Sequence, residues 1–153
     1  MTIAVTVDVV VLTEIRGVRG VVLIRRGNNP YQGAWALPGG FLEADEELVD
    51  GAARELAEET GLRLDAGELR QLGAYGTVGR DPRGRTVSVV YVVAVTEDVC
   101  AALRGGDDAA EARVFPVSEL WRPGGLQLAF DHETILADAL ALEAGVAESG
   151  EVV

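Results

Sequence analysis

The sequence predicts a single α/β domain, and three observations support this prediction. The chain has 153 residues, the usual length of one domain, and 48% of them are apolar, which is enough for one ordinary core. Segments rich in β-branched residues alternate with segments rich in strong helix formers. No internal repeat or low-complexity linker divides the sequence.

Five segments have the composition typical of strands: 3–12, 21–24, 69–78, 86–96 and 113–117. The turn-rich segment 79–85 predicts a hairpin loop between the third and fourth strands. We expect no regular structure at Pro38, Gly39 and Gly40, and a loop over 105–112.

Two segments are predicted to be helices. Residues 44–59 are dominated by Ala, Leu, Glu and Arg, and Gly61 follows as a C-cap. Asp131 can cap the start of a last helix, and a single helical turn is expected at 118–121. The domain is expected to span 1–145, followed by a flexible polar tail at 146–153. The predicted buried stripes are Leu48, Ala52 (or Gly51), Leu56 and Ala57 in the first helix, and Ile135, Leu136, Ala139, Leu140 and Leu142 in the last.

Charge and cysteine content exclude several classes of protein. The net charge of −12 argues against nucleic-acid binding, which needs a basic face. The lone Cys100 excludes an internal disulfide framework and a cysteine-based zinc site, and we expect it to fill the core. No signal peptide is recognisable, and the longest apolar run, 89–95, is too short to cross a bilayer. We therefore expect a soluble cytoplasmic protein with no nucleic-acid or membrane partner.

One charged pattern indicates a metal site. Glu55, Glu58 and Glu59 lie within about a third of the circumference of the predicted helix. Their charges repel one another, and they stand near the helix C-terminus, where the helix dipole disfavours anions. A hard cation such as Mg²⁺ or Mn²⁺ would relieve both effects, because these ions prefer carboxylate ligands. The whole string is Gly40-x5-Glu46-x7-Arg54-Glu55-Leu56-x-Glu58-Glu59-x-Gly61-Leu62.

This string matches the signature of the Nudix hydrolase family at every defined position, and residues 35–41 are similar to the segment that precedes it. The resemblance implies an α/β/α sandwich around a mixed β-sheet. It also implies a hydrolase that cleaves the pyrophosphate of a nucleoside diphosphate linked to a moiety X, with bound Mg²⁺ or Mn²⁺. By the same resemblance, the metal would be held by Gly40 (through its carbonyl), Glu55, Glu58 and Glu59.

The resemblance implies further roles within the motif. Glu55 would also serve as the base that deprotonates water, and Arg54 would orient the glutamates. Glu46 would pair with Arg54 or reach the metal through water. In many members an acid in the loop before the 113–117 strand completes the site. Asp108 and Glu111 are the candidates here, although a solvated loop explains either residue slightly better.

Segment 79–88, together with Phe130-Asp131-His132, resembles the ADP-ribose pyrophosphatase branch of the family. ADP-ribose would then be cleaved to AMP and ribose 5-phosphate. The marker proline of some ADP-ribose hydrolases would fall near Val78, whereas the nearest proline is Pro82. A sanitising triphosphate pyrophosphohydrolase of the MutT type is therefore the alternative activity. Nucleotide-sensing regulators resemble this branch too, but their DNA-binding extension does not fit within this chain, which favours the enzyme.

The contacts to the substrate are predicted from the residues around the motif. Arg80, Arg83 and Arg85 form either a phosphate or ribose clamp or a solvated hairpin tip. Tyr31 and Trp35 would stack on an adenine or pack over the sheet. Arg25 and Arg26 end a strand, and Arg26 is the candidate phosphate ligand, whereas His132 is expected to be structural. Homodimers are common in this branch, so a homodimer is also expected.

Overall fold

The computed structural model describes residues 2–106 and 109–149. These residues form one seven-stranded sheet with helices on both faces. The strands are β1 (Ala4–Ile15), β2 (Val18–Arg26), β3 (Trp35–Ala36), β4 (Gly39–Phe41), β5 (Arg70–Tyr75), β6 (Thr86–Ala94) and β7 (Ala109–Pro116). The helices are α1 (Leu48–Thr60), α2 (Glu97–Cys100) and α3 (His132–Ser149), with 3-10 turns at Ala66–Glu68 and Val117–Glu119.

The sheet is mixed, and the neighbouring strands β1 and β2 separate at one end. β1 runs parallel to β6 along nine residue pairs and antiparallel to β2 only near their shared turn, from Leu12 to Ile15. Beyond that point β4 pairs with β1 at Thr6–Asp8, while β3 pairs with β2 at Ile24 and Arg25. The segment from β3 to β4 therefore crosses the gap between the two strands, and the cavity described below opens there.

Each face of the sheet carries its own core. α1 packs through Leu56 against the face that presents Val7, Val9 and Val11, and Cys100 of α2 belongs to the same core. α3 packs against the opposite face through Ile135, Leu136 and Ala139. β1 is buried on both sides, as expected for a strand inside an α/β/α sandwich. The predicted fold class is confirmed, and Cys100 fills the core as predicted.

The glycine-rich segment differs from the prediction, because Gly39 and Gly40 belong to strand β4 rather than to irregular structure. A Cβ atom on Gly39 would lie 2.3 Å from the Val7 carbonyl oxygen and 2.1 Å from an Asp8 carboxylate oxygen. The absence of side chains lets this segment pair closely with β1. The glycines thus permit the strand that they were expected to prevent.

The helix boundaries differ as well. α1 begins at Leu48 rather than at residue 44, because the Glu46 side chain turns back to accept a hydrogen bond from the Glu43 N–H at 2.9 Å. Gly61 ends α1 in the left-handed conformation, with φ of 78°, as predicted for a C-cap. α3 continues past residue 145 to Ser149, whereas the rest of the predicted tail lies outside the described residues. Leu142 is 38% exposed and does not belong to the buried stripe.

The segment 105–112 is only partly a loop. β7 begins at Ala109 and pairs with β2 across an irregularity between Arg25 and Arg26, so the expected loop is shorter than predicted. The additional residues form the edge of the sheet beside β2. Within the described residues, no helix is both long and apolar enough to span a membrane.

Candidate active site

A cavity of about 300 Å³ opens where β1 and β2 part. Glu55 and Glu59 of α1 line it together with Gly39 and Gly40. Thr6 and Asp8 of β1 line it from the sheet, on the face that α3 covers farther along the strand. The remaining charged and aromatic groups in the wall are Arg26, Glu43, Arg54, Arg80, Asp81, Arg83, Phe41, Phe130 and His132.

Arg54 connects the acids of the motif. Its guanidinium donates to both oxygens of Glu46, at 2.6 and 2.9 Å, and to Glu55 at 2.8 Å. It also donates to Glu58 at 3.2 Å and to the Phe41 carbonyl at 3.2 Å. The hydrogen bonds from Arg54 hold the pKa of Glu46 down at about 2. Arg54 is therefore placed to fix the rotamers of several carboxylates at once.

Glu55 and Glu59 stand in a poorly solvated environment. Burial raises the pKa of Glu55, against the opposing effect of Arg54. Burial also raises the pKa of Glu59 to about 8, although the Gly39 N–H donates to its carboxylate at 2.7 Å. A Cβ atom on Gly40 would lie 2.6–2.7 Å from the Glu55 carboxylate, so a glycine is required beside that group.

The donor chemistry of this corner fits a hard divalent cation. Glu55 and Glu59 are carboxylates whose pKa values burial raises, and a bound divalent cation would favour their ionised forms. Among the described residues, no three side chains of Asp, Glu, His or Cys already form a ligand cluster. Glu58 is directed to Arg54, and its side chain is 40% exposed. Coordination by all three glutamates would require some of the Arg54 ion pairs to rearrange.

The three loop arginines have different surroundings. Arg80 donates twice to Asp131, at 2.6 and 2.9 Å, and its side chain is only 5% exposed. Arg83 donates to Asp81 at 2.8 and 3.1 Å and lines the cavity. Arg85 donates to the Gly76 carbonyl across the hairpin. The loop is therefore folded onto the domain, and Arg83 is the member most available to a ligand.

Two phenylalanines surround the Arg83 guanidinium. Its carbon lies 4.9 Å from the centre of the Phe41 ring and 5.9 Å from that of Phe130. Arg26 approaches the Phe130 ring to 5.0 Å, and Tyr31 packs on this ring at 4.8 Å. Burial lowers the pKa of Arg26, with the Arg83 charge acting in the same direction. The cavity mouth is thus both aromatic and cationic.

Several predicted site residues lie elsewhere. Trp35 is buried in the core against Phe115, at 4.6 Å between ring centres, and does not line the cavity. Tyr31 reaches the cavity only through Phe130. Glu111 lies on β7 within 4 Å of Arg25 and Arg113. The second candidate of that segment, Asp108, lies outside the described residues.

Asp8 and Ser88 were not predicted to belong to the site. Asp8 is a buried carboxylate on β1 that accepts a hydrogen bond from the Ser88 hydroxyl on β6. Its other oxygen lies 3.8 Å from Nε2 of His132. The signal in the sequence was a charged residue inside an otherwise apolar strand, which is rarely buried without a function or a partner.

The chain is similar to several known proteins. The NUDIX domain family model matches residues 2–138. An ADP-ribose pyrophosphatase of Methanocaldococcus jannaschii is 42% identical over 125 residues, which are 82% of this chain and 68% of the relative. The ADPR responsive transcriptional repressor NtrR of Acinetobacter baylyi is 35% identical over 138 residues, covering 89% of this chain and 52% of the repressor.

A solved structure is similar as well. It is a bifunctional NMN adenylyltransferase/ADP ribose pyrophosphatase from Francisella tularensis, complexed with AMP and a Mn ion. The TM-score is 0.80 at 28% identity, and the match covers 92% of this chain and 42% of that one. The chain thus spans only about half of the repressor and less than half of the bifunctional protein. With a family model that covers both the glutamate helix and the sheet around the cavity, the chain belongs to the Nudix hydrolase family.

Proposed function

We propose that this protein hydrolyses the pyrophosphate bond of ADP-ribose to give AMP and ribose 5-phosphate, with Mg²⁺ or Mn²⁺ as cofactor. The observation that carries the proposal is that one cavity joins the half-buried carboxylate of Glu55 and the buried carboxylate of Glu59 to the guanidinium groups of Arg26 and Arg83. Anionic metal ligands and cationic phosphate ligands therefore face the same space. The pyrophosphatase relative supports the choice of substrate.

Each side chain of the motif has a separate task in this proposal. Glu55, Glu58, Glu59 and the Gly40 carbonyl would hold the metal, which neutralises pyrophosphate charge and lowers the pKa of a bound water. Arg54 orients Glu55 and Glu58, and Glu46 fixes Arg54. Glu55 accepts the proton of the attacking water, and burial raises its pKa and so strengthens it as a base.

The arginines of the cavity bind the anionic substrate. Arg26 is oriented by its hydrogen bond to the Pro30 carbonyl, at 2.7 Å, and approaches the phosphates from β2. Arg83 approaches from the hairpin loop, held by Asp81 and by Phe41. Arg80 has a structural role, because its side chain is only 5% exposed and donates twice to Asp131. The Arg83 side chain also donates twice, to Asp81, but it is 42% exposed. A planar guanidinium can bind two phosphate oxygens at once, which favours Arg26 and Arg83 as the phosphate ligands.

The test is product analysis with a panel of nucleotides. The purified protein is incubated with ADP-ribose, NADH, nucleotide sugars, diadenosine polyphosphates or oxidised triphosphates, in Mg²⁺ or Mn²⁺ and with EDTA as control. We expect AMP and ribose 5-phosphate from ADP-ribose, lost in EDTA and in Glu55→Gln. Asp45→Asn is the matched control, because Asp45 is an exposed acid outside the cavity wall.

Two alternatives remain distinguishable in the same panel. Preference for an oxidised triphosphate would keep the mechanism and replace the substrate by that of a MutT-type enzyme. Tight ADP-ribose binding without turnover would identify a sensor, an outcome that the similarity to the repressor makes worth measuring. The homodimer and the cytoplasmic location stay predictions, and size-exclusion chromatography with light scattering tests the former.

A further inference from the structure

A second polar centre lies in the cavity, apart from the motif glutamates. It consists of Asp8, Ser88 and His132, which come from β1, β6 and the first residue of α3. Asp8 is 6% exposed, His132 is 4% exposed, and both line the cavity. Three separate elements thus bring a carboxylate and an imidazole together beside a solvent-accessible space.

The hydrogen bonds of Asp8 and His132 show which of their atoms can still donate to a ligand or accept from it. Nδ1 of His132 accepts the Leu37 N–H at 3.0 Å, so the ring is neutral and carries its proton on Nε2. Ser88 donates to one carboxylate oxygen of Asp8, Oδ2. The other oxygen, Oδ1, lies 3.8 Å from Nε2, beyond hydrogen-bond distance.

The centre therefore presents one N–H donor and one carboxylate acceptor side by side. A hydroxyl group both donates and accepts, so a single hydroxyl oxygen about 2.8 Å from each atom would satisfy both. A phosphate oxygen would be repelled by Asp8, and an aliphatic group would leave both polar atoms unsatisfied. A hydroxyl meets both requirements with a single atom.

We propose that Asp8 and His132 bind one sugar hydroxyl of the substrate and thereby select sugar-linked diphosphates. This inference rests on the proposed function, because it assigns a subsite within the same cavity. Ser88 is a positioning residue, because it donates to Oδ2 of Asp8, whereas the hydroxyl of the ligand would bind Oδ1. The hydroxyl belongs either to the terminal ribose or to the ribose of the adenosine.

The experiment combines substrate analogues with variants. kcat/KM is measured for ADP-ribose and for analogues that lack one hydroxyl on either ribose, with the intact protein, Asp8→Asn and His132→Asn. In the intact protein, removal of one particular hydroxyl should lower kcat/KM roughly tenfold to hundredfold. In either variant, kcat/KM for ADP-ribose should fall roughly tenfold. For the analogue that lacks the sensitive hydroxyl, kcat/KM should be only slightly lower than for ADP-ribose in the same variant. The identity of the sensitive analogue tells which ribose is bound.

For each variant, kcat/KM for one substrate is divided by kcat/KM for another. A smaller fraction of folded protein lowers both values equally and leaves their ratio unchanged. An equal loss on every analogue would overturn the inference, as would an intact protein that is indifferent to every hydroxyl. Failure of the intact protein to hydrolyse ADP-ribose would instead contradict the proposed function. Calorimetric binding of the same analogues then tests the hydroxyl site separately, and equal affinities for all of them would overturn it.

Discussion

Glu46 accepts two hydrogen bonds from Arg54, at 2.6 and 2.9 Å, although Glu46 precedes α1 and Arg54 lies in its middle. This pairing gives Arg54 a fixed position from which it contacts Glu55 and Glu58. The four charged side chains therefore form one network rather than separate pairs. The arrangement predicts that Glu46, acting through Arg54, controls the positions of the Glu55 and Glu58 carboxylates.

Replacement Glu46→Gln should therefore reduce activity without removing a metal ligand. The neutral side chain holds Arg54 more weakly, and Arg54 becomes free to bind Glu55 and Glu58 more closely. We expect metal affinity or turnover to fall roughly tenfold to hundredfold, as for other partners that orient metal ligands. Steady-state kinetics over a Mg²⁺ titration measures the effect. Asp45→Asn is the matched control, and equal behaviour of the two variants would contradict the network.

Gly40→Ala should abolish turnover while Gly67→Ala should not. The new Cβ atom at residue 40 would lie 2.6–2.7 Å from the Glu55 carboxylate, which must then move. Gly67 has open space within 4 Å and no positive φ, so the same replacement is tolerated there. We expect at least a hundredfold loss of kcat/KM in the first variant, following the cost of misplaced catalytic groups, roughly 10²-fold. Retained activity in Gly40→Ala would contradict the assigned position of Glu55.

Arg80→Gln should lower stability more than substrate affinity. Arg80 is buried and donates twice to Asp131, so its removal leaves a partly buried carboxylate without its partner. The expected loss is about 3 kcal/mol in the free energy of unfolding. Arg122→Gln, which breaks an exposed pair with Glu119, should cost less than about 0.5 kcal/mol. Urea denaturation compares the two, and a large rise in KM with unchanged stability would favour the clamp predicted from the sequence.

His132 should make stability fall in mild acid. Burial lowers the pKa of His132 below its usual 6.5, so below pH 6.5 the unfolded chain takes up a proton that the folded protein does not. The contribution to stability is complete above pH 6.5 and is lost as pH falls toward the folded pKa, by up to about 1.4 kcal/mol per pH unit. His132→Asn keeps an acceptor for the Leu37 N–H but does not titrate.

The difference in unfolding free energy between the intact protein and His132→Asn should therefore shrink from pH 7.5 to pH 5. Only this difference reports on His132 alone, because Glu59 changes the pH dependence of the unfolding free energy in the opposite direction. Its pKa is raised to about 8 in the folded protein, so that contribution is lost as pH rises. His132 is the one histidine of the sequence, so no other imidazole titrates. A difference that stays constant with pH would contradict a neutral buried His132.

The sequence predicted those parts of the site that depend on local spacing. Glu55, Glu58 and Glu59 follow one another on a single helix, so their proximity depends on helix geometry alone. Asp8 could not be assigned, because its neighbours Ser88 and His132 are set by strand register and by the docking of α3.

The same distinction explains the arginine loop and the glycines. Arg80 meets Asp131 across 51 residues of sequence, and a count of nearby charges does not reveal that pairing. β4 exists only because β1 offers an unpaired edge beyond its short pairing with β2. The single α/β domain was predicted from composition and alternation, and the sandwich around a mixed sheet from the family resemblance. The order of the strands and the contacts between distant segments needed the structure.

Binding of Mg²⁺ to the metal-free protein at pH 7 should release close to one proton. Burial raises the pKa of Glu59 to about 8, so most molecules carry a proton there at pH 7, and a metal ligand must be ionised. Affinity should consequently rise between pH 7 and pH 8 and level off above. Calorimetric titrations in two buffers of different ionisation enthalpy measure the released protons. Glu59→Gln should lose both the release and most of the affinity, whereas the exposed Glu68→Gln should retain both. A binding heat that does not depend on the buffer would show that Glu59 is ionised before the metal arrives.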